Sequence, residues 1–118
     1  MLIWVEVNKV LGPGFLEKVY ERALLIELRN RGLKAESQVS VKVLYKDKHV
    51  GEYFADVLVE EKVIVELKTV ESLDKNHEAQ LLNYLKATGI QIGLLVNFKS
   101  PKVEIKRMVL GLHENTDK

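Results

Sequence analysis

Asp56 and Glu66 stand ten residues apart, and Lys68 lies two beyond Glu66. Two carboxylates and an ammonium are the groups that hold a hard divalent cation and steady a water or a developing negative charge. Whether they meet depends on the chain between them. Val57-Leu58-Val59 and Val63-Ile64-Val65 flank Glu60-Glu61-Lys62, which reads as two strands and a turn. With a three-residue turn, Val59 faces Val63 and residue numbers across the hairpin sum to 122, which sets Asp56 opposite Glu66. Opposed side chains of this kind have Cβ atoms about 4.5–5.5 Å apart. Lys68 then points to the same face as Glu66. Apolar neighbours on both strands predict that the acids are partly buried. Buried like charges are costly, and one Lys cannot neutralise two carboxylates. Mg²⁺ or Mn²⁺ can. In the plainer reading, Lys68 bridges one acid near a sheet edge. A two-residue turn would shift the register by one and part the acids.

Two further groups of residues are candidates. His77, Gln80 and Tyr84 recur at three and four, so they share one stripe of a helix beside its apolar side. Gln80 and Tyr84 can reach a cleft above the sheet, or Tyr84 can simply pack in the core. Glu17 falls in the first turn of an earlier helix, where a carboxylate complements the helix dipole. Tyr20, one turn on, reads as core. His49 and His113 have no evident partners and read as surface residues.

The elements that position these residues are legible in order. Leu2 to Leu11 reads as a short helix, broken at Leu11-Gly12-Pro13-Gly14. A helix from about Pro13 or Phe15 to Arg31 follows, with Leu16, Val19, Tyr20, Ala23, Leu24 and Leu28 on one face and Gly32 as its left-handed cap. Val39, Val41, Val43 and Tyr45 then alternate as a strand, Lys46-Asp47-Lys48 turns, and a second strand runs from about His49 to Val59. Val63 to Lys68 is the third strand. A helix from about Ser72 or Asp74 to Lys86 ends at Gly89. Gln91 to Phe98 is a continuously apolar run, which predicts a central strand parallel to the third. After Lys99-Ser100-Pro101 a last strand spans Val103 to about Val109. The order is α-β-β-β-α-β-β around one mixed sheet, in the α/β class. Residues 1–112 read as a single domain and 113–118 as a polar tail.

Composition narrows the functions. The 118 residues carry 18 Lys and Arg against 17 Asp and Glu, a net charge of +1, which argues against a histone-like protein while leaving room for a local basic patch. Lys99, Lys102, Lys106 and Arg107 are such a patch, or else a charged edge strand. The absence of cysteine excludes a disulfide scaffold and a cysteine nucleophile. No membrane-length apolar segment and no signal peptide are legible, so a cytoplasmic protein is expected.

Asp56 with Glu66-Leu67-Lys68 resembles the Asp…Glu-x-Lys signature of the PD-(D/E)XK nucleases. Gln80-x-x-x-Tyr84 looks like the accessory motif of the exonuclease branch, and Gly14-x-x-Glu17-x-x-Tyr20 resembles the GxxExxY family of that superfamily. The resemblance runs from about residue 3 to 108. It implies a restriction-endonuclease-like α-β-β-β-α-β core and metal-dependent hydrolysis of phosphodiesters, in DNA rather than RNA. It implies Mg²⁺ or Mn²⁺ held by Asp56, Glu66, the Leu67 carbonyl and Glu17, with Lys68 acting on the water. Gln80 and Tyr84 would orient Lys68 or touch the nucleic-acid strand. So small a chain leaves little outside the core to read sequence, so specificity is expected to be weak and a homodimer or larger complex is one arrangement. A non-catalytic module that binds nucleic acid or protein on the same fold is the alternative.

Overall fold

The computed structural model describes residues 3–99 and 102–111. The expected helix start at Leu2, the Ser100-Pro101 corner and the tail 113–118 lie outside them. The elements are α1 (Ile3–Leu11), α2 (Glu17–Asn30), β1 (Ala35–Tyr45), β2 (Lys48–Val59), β3 (Val63–Lys68), α3 (Lys75–Thr88), β4 (Ile92–Asn97) and β5 (Glu104–Val109). The five strands form one sheet in chain order, antiparallel except for the parallel β3–β4 pair. The expected order and the parallel crossover are both present. Among the described residues, no helix is long and apolar enough to cross a membrane.

Each face of the sheet has its own core. Ile3 and Val7 of α1 and Tyr20, Leu24, Leu25 and Leu28 of α2 pack on Val57, Val65, Leu67 and Val96. Leu81, Tyr84 and Leu85 of α3 pack on Val41, Ala55, Leu58, Ile64 and Leu95 on the opposite face. β3 and β4 are covered on both sides, which is why their sequences are continuously apolar. Gly93 of β4 allows the close approach of α3: a Cβ there would stand 2.9 Å from Leu81 Cγ and both of its Cδ atoms.

The helix ends follow local chemistry. Asp74 caps α3 by accepting from the Asn76 and His77 backbone N–H groups, while His77 Nδ1 accepts from Asp74 N–H at 3.0 Å. His77 is thus spent on the cap and is not part of the Gln80–Tyr84 stripe's chemistry. Gly32 follows α2 at φ +80°, and Leu33 N–H reaches back to Leu28 at 3.1 Å.

The turns differ in one respect from expectation. Between β1 and β2 only Lys46 and Asp47 turn, both at positive φ, as the tightest hairpins require. Between β2 and β3 the turn does hold Glu60, Glu61 and Lys62, and Val59 pairs with Val63.

β1 also begins earlier than alternation suggests, at Ala35, because the strand changes face midway. Ala35 belongs to the α1–α2 core, yet Val39 and Val41 belong to the α3 core. In β2, Val57 lies on the first face and Ala55 on the second. Uniform alternation would put all odd-numbered residues together. The switch falls at Gln38, whose φ is +52°, and at Asp56 across from it. The ladder runs from Ser37↔Val57 to Val39↔Ala55 and omits both. This kink turns the distal β1–β2 ribbon toward α3, where Tyr53 meets Tyr84 with ring centroids 5.9 Å apart.

Candidate active site

The β2–β3 ladder pairs Val59–Val63, Leu58–Ile64 and Val57–Val65, the register that brings Asp56 opposite Glu66. There the two strands separate, and the two acids take over the backbone's hydrogen bonds. Asp56 N–H donates to Glu66 Oε2 at 2.8 Å, and Leu67 N–H donates to Asp56 Oδ2 at 2.8 Å. Each carboxylate is thereby fastened to the other's strand. A hydrogen bond from a backbone N–H to a carboxylate is charge-assisted and short, so both are held in fixed positions at the mouth of the fork.

Electrostatics oppose full ionisation. Glu66 is buried, with 4% exposure. Burial first, and the Asp56 charge second, push its carboxyl up to about 8, against the pull of the Asp56 N–H and Lys68. Asp56 is raised too, chiefly by burial and then by Glu21, while the Leu67 N–H, Lys68 and Gln38 pull it down. Lys68, on the same strand face as Glu66, donates through Nζ to Gln80 Oε1 at 3.2 Å. Gln80 therefore aims the ammonium, as its helical spacing from Tyr84 allows.

Tyr84 is buried against Tyr53, and its phenol is pushed above the usual range by burial and by the charges of Glu66 and Asp56. It remains a neutral hydroxyl beside the acids. Glu17 opens α2, exposed at the rim. Partial burial lifts its carboxyl, Lys68 and the Thr69 N–H lower it, and Asp56 and Glu21 raise it again.

The structure thus brings together Asp56, Glu66, Lys68, Gln80 and Tyr84, with Glu17 close enough to feel their charges. It does not gather three acids around one point. Among the described residues, no three His, Cys, Asp or Glu side chains converge to hold a cation by themselves. The donors that do meet still suit a small hard ion. Asp56 and Glu66 use Oδ2 and Oε2 on backbone N–H groups; Asp56 Oδ1 takes a long bond from Gln38 Nε2 at 3.4 Å and, like Glu66 Oε1, keeps room for another partner. Mg²⁺ is held by one or two carboxylates with water completing its shell.

Sequence reasoning missed a second tier. Glu21 is 5% exposed and accepts from Gln38 Nε2 at 3.1 Å and from Lys18 Nζ at 3.4 Å. The Gln38 amide also reaches Asp56 Oδ1 at 3.4 Å. A residue held at φ +52° inside a strand is strained, and here the strain aims one amide at two acids. Glu21 could have been suspected, as a charge inside the apolar stripe between Tyr20 and Leu24. Gln38 carries no such signal.

Tyr20 and Asn97 fix the surroundings. The buried Tyr20 donates its hydroxyl to Gly12 O at 2.6 Å, accepts from Phe15 N–H at 3.3 Å, and stacks on Phe98 at 4.6 Å. This pins the loop that delivers Glu17, in which Gly14 adopts φ +103°. Asn97, 2% exposed, accepts from Val70 N–H and donates to Val70 O and Glu104 Oε1. It clamps the chain leaving Lys68.

A family model for the PD-(D/E)XK nuclease superfamily matches residues 1–108. The chain belongs to the PD-(D/E)XK nuclease superfamily. Superfamily members typically use divalent metals. The chain is also similar to the crystal structure of SSO0001, with a TM-score of 0.63 and 22% identity over 84% of this chain and 52% of that one. That likeness is one of fold, and this chain spans about half the length of that one. No curated protein matches.

Proposed function

We propose that this superfamily member hydrolyses phosphodiester bonds of nucleic acid, with Asp56 and Glu66 holding Mg²⁺ or Mn²⁺. The observation that carries the reading is the reciprocal fastening of the two acids across the β2–β3 fork, with Lys68 aimed by Gln80 beside them. The ion would supply a Lewis acid that polarises the phosphodiester and acidifies water. The resemblance adds the Leu67 carbonyl and Glu17 as further oxygen ligands.

The chain's own groups do the rest. Asp56 and Glu66 provide oxygen donors held in fixed positions in a partly dry fork, where charge acts strongly. The Lys68 ammonium donates hydrogen bonds that orient the attacking water or stabilise charge developing on the phosphate. Gln80 accepts a hydrogen bond from that ammonium and fixes its direction. Tyr84 packs on Tyr53 near the acids and would serve as a neutral hydrogen-bonding group.

The test is cleavage of labelled single-stranded DNA, duplex DNA and RNA with Mg²⁺, with Mn²⁺ or with chelator. Cutting should require metal, should drop by on the order of 100-fold or more in Lys68→Ala, and should disappear in Glu66→Ala. Cutting undiminished in Lys68→Ala, or persisting in Glu66→Ala, would refute the assignment. DNA over RNA is the finer expectation, read directly from the substrate panel. A pair of copies acting on the two strands is another, and full activity in a sedimenting monomer would dismiss it. A folded protein that binds nucleic acid equally with and without metal, and never cuts, would favour the non-catalytic module. The net charge of +1 is the observation on that side.

A further inference from the structure

A cleft of about 770 Å³ runs between α3 and the distal β1–β2 ribbon. It shares Gln80 and Tyr84 with the acidic site, and Gln80 is the residue that holds Lys68. Lys42 from β1 and Lys86 and Asn83 from α3 line it, with Tyr53 from β2. Among the described residues that line it, none is a carboxylate. Tyr53 is 53% exposed although it packs against Tyr84, so much of this large apolar ring stays in reach of a ligand.

Two lysines, an available aromatic ring and amide side chains are the components of a surface for an unpaired nucleic-acid strand. Cations meet phosphates, a ring takes the face of a base, and amides meet base edges. A duplex keeps its base faces inside the stack and has none to offer Tyr53. The cleft volume lies in the range of small-ligand sites, suited to a few nucleotides and not to a double helix.

We infer that this cleft seats an unpaired nucleic-acid strand and feeds its backbone toward Asp56, Glu66 and Lys68, with Tyr53 stacking on a base and Lys42 and Lys86 contacting phosphates. The inference rests on the nuclease reading for its direction, and it narrows the substrate to single strands or the frayed ends of duplexes. Tyr53 is a binding residue in this scheme and takes no part in the chemistry.

The experiment is binding of fluorescently labelled oligonucleotides by anisotropy in chelator, where nothing is cut. Single-stranded DNA, single-stranded RNA and a duplex of the same sequence are compared. Single strands should bind more tightly than the duplex. Tyr53→Ala should weaken single-strand binding about 10-fold, and Tyr53→Phe should restore it. Lys42→Gln with Lys86→Gln should reduce the slope of log affinity against log salt by about 1.4, roughly 0.7 for each lost phosphate contact. Circular dichroism and melting show that each variant is folded. Duplex binding as tight as single-strand binding, or a folded Tyr53→Ala that binds like the parent, would overturn the inference. Binding of the expected pattern by a protein that never cuts would leave the cleft standing and remove the nuclease reading. Metal-dependent cutting of duplex DNA, undisturbed by Tyr53→Ala, would do the reverse.

Discussion

Glu66→Gln is expected to stabilise the metal-free protein at neutral and alkaline pH while abolishing activity. Burial and Asp56 raise the Glu66 carboxyl from 4.5 to about 8. The folded protein therefore keeps a proton that the unfolded chain has already released. For an acid raised in this way, stability is lost as pH climbs from the unfolded value toward the folded one. At 1.36 kcal/mol for each pH unit, the whole rise comes to about 5 kcal/mol, and about 3 kcal/mol of it is spent by pH 7. With about 4 °C in Tm for each kcal/mol at this chain length, the Glu66 contribution alone should make the parent melt about 12 °C lower at pH 7 than at pH 4.5. Gln presents an oxygen to the Asp56 N–H as Glu66 does and never ionises. Urea denaturation in chelator from pH 4.5 to 9 should give parallel stabilities at the acid end and a widening advantage for the variant above pH 6. Asp56 and Glu17, raised in the same direction, leave the variant a shallower slope of its own. Mg²⁺ or Mn²⁺ at pH 8 should stabilise the parent by supplying the missing positive charge, and should leave Glu66→Gln nearly unmoved. Identical pH slopes for the two proteins would refute the reasoning, because burial would then not be holding a proton on Glu66.

Gln38→Gly should be about 1 kcal/mol more stable than Gln38→Ala, since both lose the amide but only glycine takes φ +52° without strain. Both should cut more slowly than the parent, as Asp56 and Glu21 lose their common donor. Gly93→Ala should cost about 1–3 kcal/mol in urea denaturation, because the new methyl meets the buried Leu81 at 2.9 Å. Asn97→Ala should cost about 2 kcal/mol and speed hydrogen exchange at the Val70 amide, which loses its acceptor.

Much of this protein was already determined by local pattern. The change from threefold-and-fourfold spacing to alternation and back dictates the order of helices and strands, because each period commits one face to burial. The three-residue turn at Glu60-Glu61-Lys62 sets the hairpin register, and register alone brings Asp56 to Glu66. The spacing of Gln80 and Tyr84 puts both on the side of α3 that looks over Lys68. What only the tertiary structure decided is how the acids are held and what surrounds them. The alternation of β1 gives no sign that the strand crosses to the other face at Gln38, since polar residues there satisfy either phase. The bonds from Asp56 N–H to Glu66 and from Leu67 N–H to Asp56 exist only because the ladder opens after Val57–Val65. Glu21, Asn97 and the Lys42–Tyr53–Lys86 cleft join elements far apart in the chain. Periodicity reports which side of an element meets the core. It carries no information about which two elements meet, and the site is made where α2, the β2–β3 fork and α3 do.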